Sequence, residues 1–510
     1  MRRLFIACLF ARCLYAQLPP ASYVASHAKD LVTPRLLRRE ARPIDPASWL
    51  GRMHAAFQGP QVSPNGMTTV DARNYWGGGI PSGDVTSAIN SAITYAQGLS
   101  PAGAVLLPCG TFTIGGSSST ATSISITGQV ALVGTARTCT KLIANSSNTS
   151  GTLINASLSS GAFYIANLDI DVSGNSTFAA AGTVMEWQQQ NGGSSSAMEN
   201  FEIHGGYYGI HSGSWGLGSS YVQNAWFFNV AQDAIYINPI SGAAGNAETC
   251  LQNIDFVYLS VAGHSAINVP KSSTADTGGF YVNRILVSGN SAYFPSYGVM
   301  YQYGTSGGGA CGGGTCASGY LYIYNSTINT TNSPLFILNS TNIGVMNSWL
   351  YAASSTNPTI TIDGGQSVYI IDNINIGQVT GGCGVYLKDT PYAVFSRNNN
   401  YVLASSSVLV CYQTTYPPGT RISFMGDYLQ GGAGPDLIHN SSGIAGSSNV
   451  FIYMPDTNFT YTQLGVTLQP GSTAYCSNCS VSGQISSCSS GGTGAMWHYG
   501  TSGGAVCAIF

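Results

Sequence analysis

Between residues 160 and 310 of this 510-residue chain, acids, imidazoles and tyrosines fall at recurring intervals, although charged residues make up only 7% of the sequence. One set is His211, Tyr236 and Asn268, joined by Tyr207, Tyr208, Asp233, His264, Tyr297 and Tyr301. A carboxylic acid near an imidazole can give and take protons. Aromatic faces beside polar groups suit sugar rings, which offer apolar C–H faces together with hydroxyls. Asp233 and His264 are therefore candidate catalytic groups, and Tyr207, Tyr208, His211, Tyr236, Asn268 and Tyr301 candidate substrate contacts. The plainer readings are a turn acid capping the backbone for Asp233 and a turn histidine after Gly263 for His264. A second set is Asp169, Asp171, Glu202, His204 and Asp255, from which Glu202 and Asp255 join the catalytic candidates. Two carboxylates about 5–5.5 Å apart, or about 6.5–9.5 Å apart, cleave glycosidic bonds with retention or inversion. Clustered acids could instead hold Ca²⁺ for a lyase, or form an ordinary solvated sheet face. Lyase chemistry also needs a strong base. Lys271 and Arg284 are the only basic residues between Lys141 and Lys388, and Arg284 is added to the substrate contacts.

Such scattered residues meet only if the chain folds as a stack. A pattern of small, apolar, any, apolar residue recurs as Gly209-Ile210-His211-Ser212, Ala234-Ile235-Tyr236-Ile237, Ala266-Ile267-Asn268-Val269 and Gly298-Val299-Met300-Tyr301. It continues as Pro334-Leu335-Phe336-Ile337, Thr359-Ile360-Thr361-Ile362, Gly384-Val385-Tyr386-Leu387 and Ser407-Val408-Leu409-Val410. The steps between first residues run from 23 to 36. A second column lies between these: Leu168/Ile170, Phe201/Ile203, Ile254/Phe256, Ile285/Val287, Ile343/Val345, Val368/Ile370 and Ile422/Phe424. Asn167, Asn200, Asn253 and Asn342 precede four of these pairs, as turn residues that stack in ladders would. Two short strands in coils of about 25–30 residues predict a parallel β-helix, since a propeller blade needs four strands in about 40. Outward residues of successive coils then stand about 4.8 Å apart, so a site is written across coils.

The entry to the stack is the most specific segment. Asp84 can cap a helix whose apolar positions Val85, Ala88, Ile89, Ala92, Ile93 and Ala96 follow the 3.6 period. Ala104–Leu107 then reads as a strand stopped by Pro108, with Gly110 turning the chain into Thr111–Ile114. The segment resembles the entry of the pectate-lyase-like β-helix superfamily, which includes phage tailspike depolymerases. Asp84, Thr86, Ala88 and Ile89 match its D-x-T-x-A-I helix, and Leu107, Pro108, Gly110 and Phe112 its L-P-x-G-x-Y strand with Phe for Tyr. The resemblance implies an all-β fold, a right-handed parallel β-helix with an N-terminal capping helix. The coils from Tyr207 to Gln302 also resemble the catalytic coils of the polygalacturonase family, which read N-T-D-G-I, D-D-C-I, G-H-G and R-I-K. Asp233 falls at the proton donor, whereas Tyr208 and Gln232 replace acids, His264 is shifted by one, and Met300 and Gln302 replace the Arg and Lys.

Nine of the 17 basic residues lie in the first 52 positions, leaving a mildly acidic body that argues against a nucleic-acid surface. Residues 1–16 read as a signal peptide, interrupted by Arg12, and no other stretch approaches the length of a membrane span. Residues 17–65 read as a basic Pro/Arg-rich linker or arm, 66–464 as the β-helix, and 465–510 as a small Cys-rich module. Beyond the signal there are eleven cysteines, which lean towards an oxidising location. Cys311–Cys316 and Cys383–Cys411 are plausible pairs, and Cys476-Ser-Asn-Cys479 has the spacing of zinc ligands. The expectation is a secreted or cell-surface glycoside hydrolase acting on a pectin-type or other acidic polysaccharide, without a required cofactor. The alternatives are a non-catalytic adhesin or receptor-binding spike that holds a cell-surface glycan, on a virion tail in one version, and a lyase. A homotrimer fits the tailspike resemblance but is not encoded by any motif.

Overall fold

The computed structural model describes residues 67–76 and 81–159, then most of 161–302 except 190–195, 216–219, 240–247, 258–263, 271–278 and 289–293. From 320 onward it describes the strands and their short turns, with side chains only as far as Cys411. Residues 1–65, Cys311, Cys316 and Lys271 lie outside the described residues, as do the side chains of Cys476, Cys479, Cys488 and Cys507. All described residues belong to a unit that runs from Val62 to Phe510. It is a right-handed parallel β-helix, built from one 25-stranded and one 13-stranded sheet.

The helix Thr86–Gln97 covers the first coil with Val85, Ile89, Ala92, Ile93 and Ala96 buried. Its first residues also sew it to that coil. Asp84 Oδ1 accepts from Thr86 N at 3.0 Å and Oδ2 from Gly116 N at 2.8 Å, while Thr86 Oγ1 accepts from Gly115 N at 2.7 Å. Asp and Thr two residues apart thus satisfy both the open end of the helix and the turn of the next strand. The Cys109–Cys139 disulfide ties the first two coils together, and Cys383–Cys411 forms further along.

Each coil has three faces, where the spacing predicts two strands. The long strands Phe163–Asp171, Ser196–His204, Ser220–Phe228 and Glu248–Val257 are single elements bent in the middle by Asn167, Asn200, Asn224 and Asn253, all at φ between 51° and 59°. Asn adopts this left-handed conformation at lower cost than other residues with a side chain. Its amide then bonds to the next coil: Asn200 Nδ2 donates to Asn167 Oδ1 at 2.6 Å and Asn253 Nδ2 to Asn224 Oδ1 at 2.8 Å. Inward positions before and after the bend fill the core, as Ile165, Leu168 and Ile170 do in one strand. The expected second column therefore mixes two stacks. Leu168, Phe201, Ala225, Ile254 and Ile285 stack after the bend, while Ile343 and Val368 stack on Leu321 before it. Asn342 is likewise no ladder residue. It opens the strand Asn342–Met346, and the ladder passes through Asn325 and Asn347 at 2.7 Å.

The first column keeps its expected register over seven coils, from Ile210 against Ile235 to Ile360 against Val385. The eighth is shifted by two: Tyr386 pairs with Cys411, so Leu409 is not in the outward row. Beyond Thr473 the pairing turns antiparallel, with Thr473–Cys476 against Ala495–Gly500.

Candidate functional site

The candidate residues divide between two faces. The 13-stranded sheet presents the row Glu186, His211, Tyr236, Asn268, Met300, and the 25-stranded sheet the row Lys141, Asp169, Glu202, Trp226, Asp255. Asp233 and His264 lie with the first row, whereas Glu202, Asp255 and Arg284 lie with the second. The four catalytic candidates thus do not converge.

On the 13-stranded face, Gly205 and Gly206 make the corner that delivers Tyr207 and Tyr208, with φ of +77° and +99°. A Cβ at Gly206 would meet Val184 Cγ2 at 2.6 Å, so the approach of the two coils requires glycine there. Tyr207 packs edge-on to Tyr208 at 4.9 Å, and Tyr208 lies 4.7 Å from His211 and 5.3 Å from Tyr236. His211 and Tyr236 stack at 4.9 Å and 10°. His211 Nδ1 is 2.6 Å from Glu186 Oε2, a partner absent from the sequence expectation. Assigning the proton to Nδ1 makes this a donation to the carboxylate and leaves Nε2 as the acceptor. Burial pushes the Tyr208 hydroxyl up to about 12, helped by the negative charge of Asp233, so it keeps its proton and serves as a donor.

Asp233 is 3% exposed and both of its oxygens are engaged. Oδ1 accepts from Ser265 N at 2.6 Å and Oδ2 from Asn268 Nδ2 at 2.9 Å. Burial raises its carboxyl above the ordinary value, against the pull of these donors and of His264. It orients Asn268 and caps the coil. Tyr301 departs from expectation: it is fully buried, stacked between Val269 and Ile337 and edge-on to Phe280 at 5.2 Å, because alternation turns it inward. It cannot touch a substrate on this face.

The other face is an ion network. Glu202 Oε1 takes the Arg137 guanidinium, which also lies 3.8 Å over the Trp226 ring. Glu202 Oε2 is 3.0 Å from His204 Nε2, whose ring stacks on Phe228 at 4.5 Å. Lys141 Nζ sits 2.6 Å from Asp171 and 3.5 Å from Asp169. Burial raises the Asp169 carboxyl above its usual value in spite of Lys141 and His204. Burial also raises Asp255, against a hydrogen bond from Trp226 and the Arg284 charge. Asp169, Glu202 and His204 offer three ligand atoms within 4.8 Å of one another. Ca²⁺ takes six to eight oxygens, and here Lys141 and Arg137 already supply the countercharge. Arg284 stands where neighbouring coils have Asn, at φ 56°.

No protein-family model and no curated protein matches the sequence. Among solved structures, the chain is similar to the A-module of the Azotobacter vinelandii mannuronan C-5 epimerase AlgE6, at 13% identity and a TM-score of 0.43, covering 75% of this chain and 97% of that one. It is also similar to the Agl-KA catalytic domain, at 12% identity and 0.43, covering 77% and 69%. A third similarity is to tailspike protein 3 of bacteriophage CBA120, at 12% identity and 0.36, covering 86% and 68%. No helix among the described residues is long and apolar enough to cross a membrane.

Proposed function

We propose that this is an exported, polysaccharide-active β-helix protein, a glycoside hydrolase whose glycan lies across the 13-stranded face. The observation that carries the reading is the Glu186–His211 contact at 2.6 Å beneath a cluster of three tyrosines. The stacked rings of Tyr236 and His211, with Tyr208 tilted across them, give an apolar ledge for the C–H face of a sugar ring. Glu186 fixes the tautomer of His211, whose Nε2 takes a proton from the attacking water. Tyr208, holding its proton, passes it to the departing glycosidic oxygen and regains one from the protonated His211 beside it, so the neutral forms of both are restored. Asp233 acts one step back by orienting Asn268.

A second reading is a non-catalytic glycan-binding surface, an adhesin or spike. It is favoured by Asp233, the proton donor implied by the polygalacturonase resemblance, having both oxygens engaged. Incubating the full chain with a panel of neutral and acidic polysaccharides separates the two. The hydrolase reading expects new reducing ends without an unsaturated sugar, lost by at least about 100-fold in Glu186→Gln and His211→Ala. Unsaturated products would mean a lyase. Binding without new ends would leave the adhesin reading.

A further inference from the structure

The outward rows of the 13-stranded face carry almost no charge. After Glu186 and His211, successive coils present Tyr236, Asn268, Met300, Phe336, Thr361 and Tyr386. Two positions along the strands, Gln302 and Leu338 lead to Asp363 and Lys388, which are closed on each other at 2.9 Å. On the other side of the row lie Thr183, Tyr208 and Tyr297, with Asp233 buried near Tyr208 and accepting from Ser265 N. From Glu186 to Phe336, then, the described side chains of this face offer two carboxylates, imidazoles and no Lys or Arg. The sequence limits what any other segment of these coils can add. Between Lys141 and Lys388 the only basic residues are Lys271 and Arg284, and Arg284 belongs to the other sheet. Met300 and Gln302 face outward where the resembling R-I-K motif has Arg and Lys.

We infer that the glycan held by this face is neutral, rich in hydroxyls and free of uronate, sulfate or phosphate groups. The inference rests on the reading of this face as the glycan-binding surface. A uronate polymer brings a carboxylate with each charged sugar, and docking it requires a cation or donor cluster at every such ring to offset the lost hydration. Here those rings would instead meet Glu186, with Asp233 buried behind Asn268, and like charges brought together reject a ligand. A neutral sugar has no such requirement. Its C–H face lies against the stacked His211 and Tyr236 rings, and a hydroxyl meets the Tyr208 hydroxyl.

The test compares uronate polymers with the same polymers after carboxyl reduction, alongside neutral glycans, using the full chain at low and high salt. At low salt the neutral forms should bind at least about tenfold more tightly, with the gap closing as salt is raised. Tyr236→Ala should weaken neutral binding by about tenfold or more. Met300→Lys, on a half-buried outward position, should raise affinity for the uronate polymer several-fold and leave the neutral one unchanged. Equal or tighter binding of the uronate polymer, still sensitive to Tyr236→Ala, would overturn the neutral substrate and keep the binding face. Failure of every polymer to bind would overturn the glycan reading itself.

Discussion

Both sheets present a histidine against a glutamate, and the two pairs sit in opposite surroundings. On the 25-stranded sheet, His204 and Glu202 at 3.0 Å are enclosed by Arg137, Lys141, Asp169 and Phe228. On the 13-stranded sheet, His211 and Glu186 at 2.6 Å lie beside the rings of Tyr208 and Tyr236 and the amide of Gln188, whose Nε2 donates to Glu186 Oε1 at 3.1 Å. In the first, Glu202 meets His204 of its own strand and Arg137 from two coils away, and Lys141 bridges Asp169 and Asp171, so the charges stabilise the stack. In the second the imidazole keeps one nitrogen for chemistry and the rings form a surface. The same residue types therefore mean different things according to what the coils above and below contribute.

The largest test of this contrast is an exchange of losses. Glu186→Gln should lower turnover by at least about 100-fold, whereas Glu202→Gln should leave it within about threefold while lowering the melting temperature. Loss of turnover on Glu202→Gln, with the fold intact by circular dichroism, would move the site to the other face. Next in size, Arg137→Ala should cost about 1–2 kcal/mol in denaturant unfolding, because Glu202 loses its counter-ion and Trp226 its stacked guanidinium. Tyr236→Ala, on an open face, should cost less than half of that.

The 25-stranded face also divides within itself by pH. Burial raises Asp255 above 3.8, so the folded state holds its proton more tightly than the unfolded state. Stability from this group is present at low pH and falls as pH rises from 3.8 through the raised value. Asp171 runs the other way. Burial alone would raise it, but hydrogen bonds from Lys141 and Ser173 outweigh that and hold it below 3.8. Its contribution is present above 3.8 and lost as pH falls through the lowered value. Melting curves across the acid range should flatten in Asp255→Asn and lose their acid-side decline in Asp171→Asn. Each change should be below about 1 kcal/mol, as fits partly exposed groups. If both variants bend the curve in one direction, the network does not divide as described.

Much of the fold was legible because inward positions are constrained. Gly209-Ile210-His211-Ser212 and its successors alternate strictly, and the pleat admits one register for such a pattern. The shift at Ser407 arises where alternation fails, since Val408, Leu409, Val410 and Cys411 are an unbroken apolar run. The third face was hidden because an Asn bend lies inside a continuous strand and changes the phase of alternation there. Glu186 was within reach. Val184-Met185-Glu186-Trp187 carries the apolar alternation 25 residues before Gly209, one coil earlier in the same pattern. Arg137 was not, because a turn residue two coils from Glu202 leaves no local signal.

The smallest expected effect concerns Arg284, where the two kinds of constraint meet. Neighbouring coils place Asn253 and Asn325 on the ladder, and Arg284 holds the left-handed conformation at φ 56° without the short amide that suits it. Asn283 takes over the ladder bond, accepting from Asn325 Nδ2 at 3.1 Å. Left-handed backbone costs an ordinary residue about 1 kcal/mol more than it costs Asn. Arg284→Asn should therefore stabilise the fold by about 0.5–1 kcal/mol in equilibrium unfolding, unless the Arg284 charge near Asp255 contributes as much. The double variant with Asp255→Asn isolates that contribution. A gain that appears only in the double variant would mean that the charge pair offsets the strain. A gain in neither would mean that the bend carries no strain, and that Asn recurs in the other coils for its amide bonds alone.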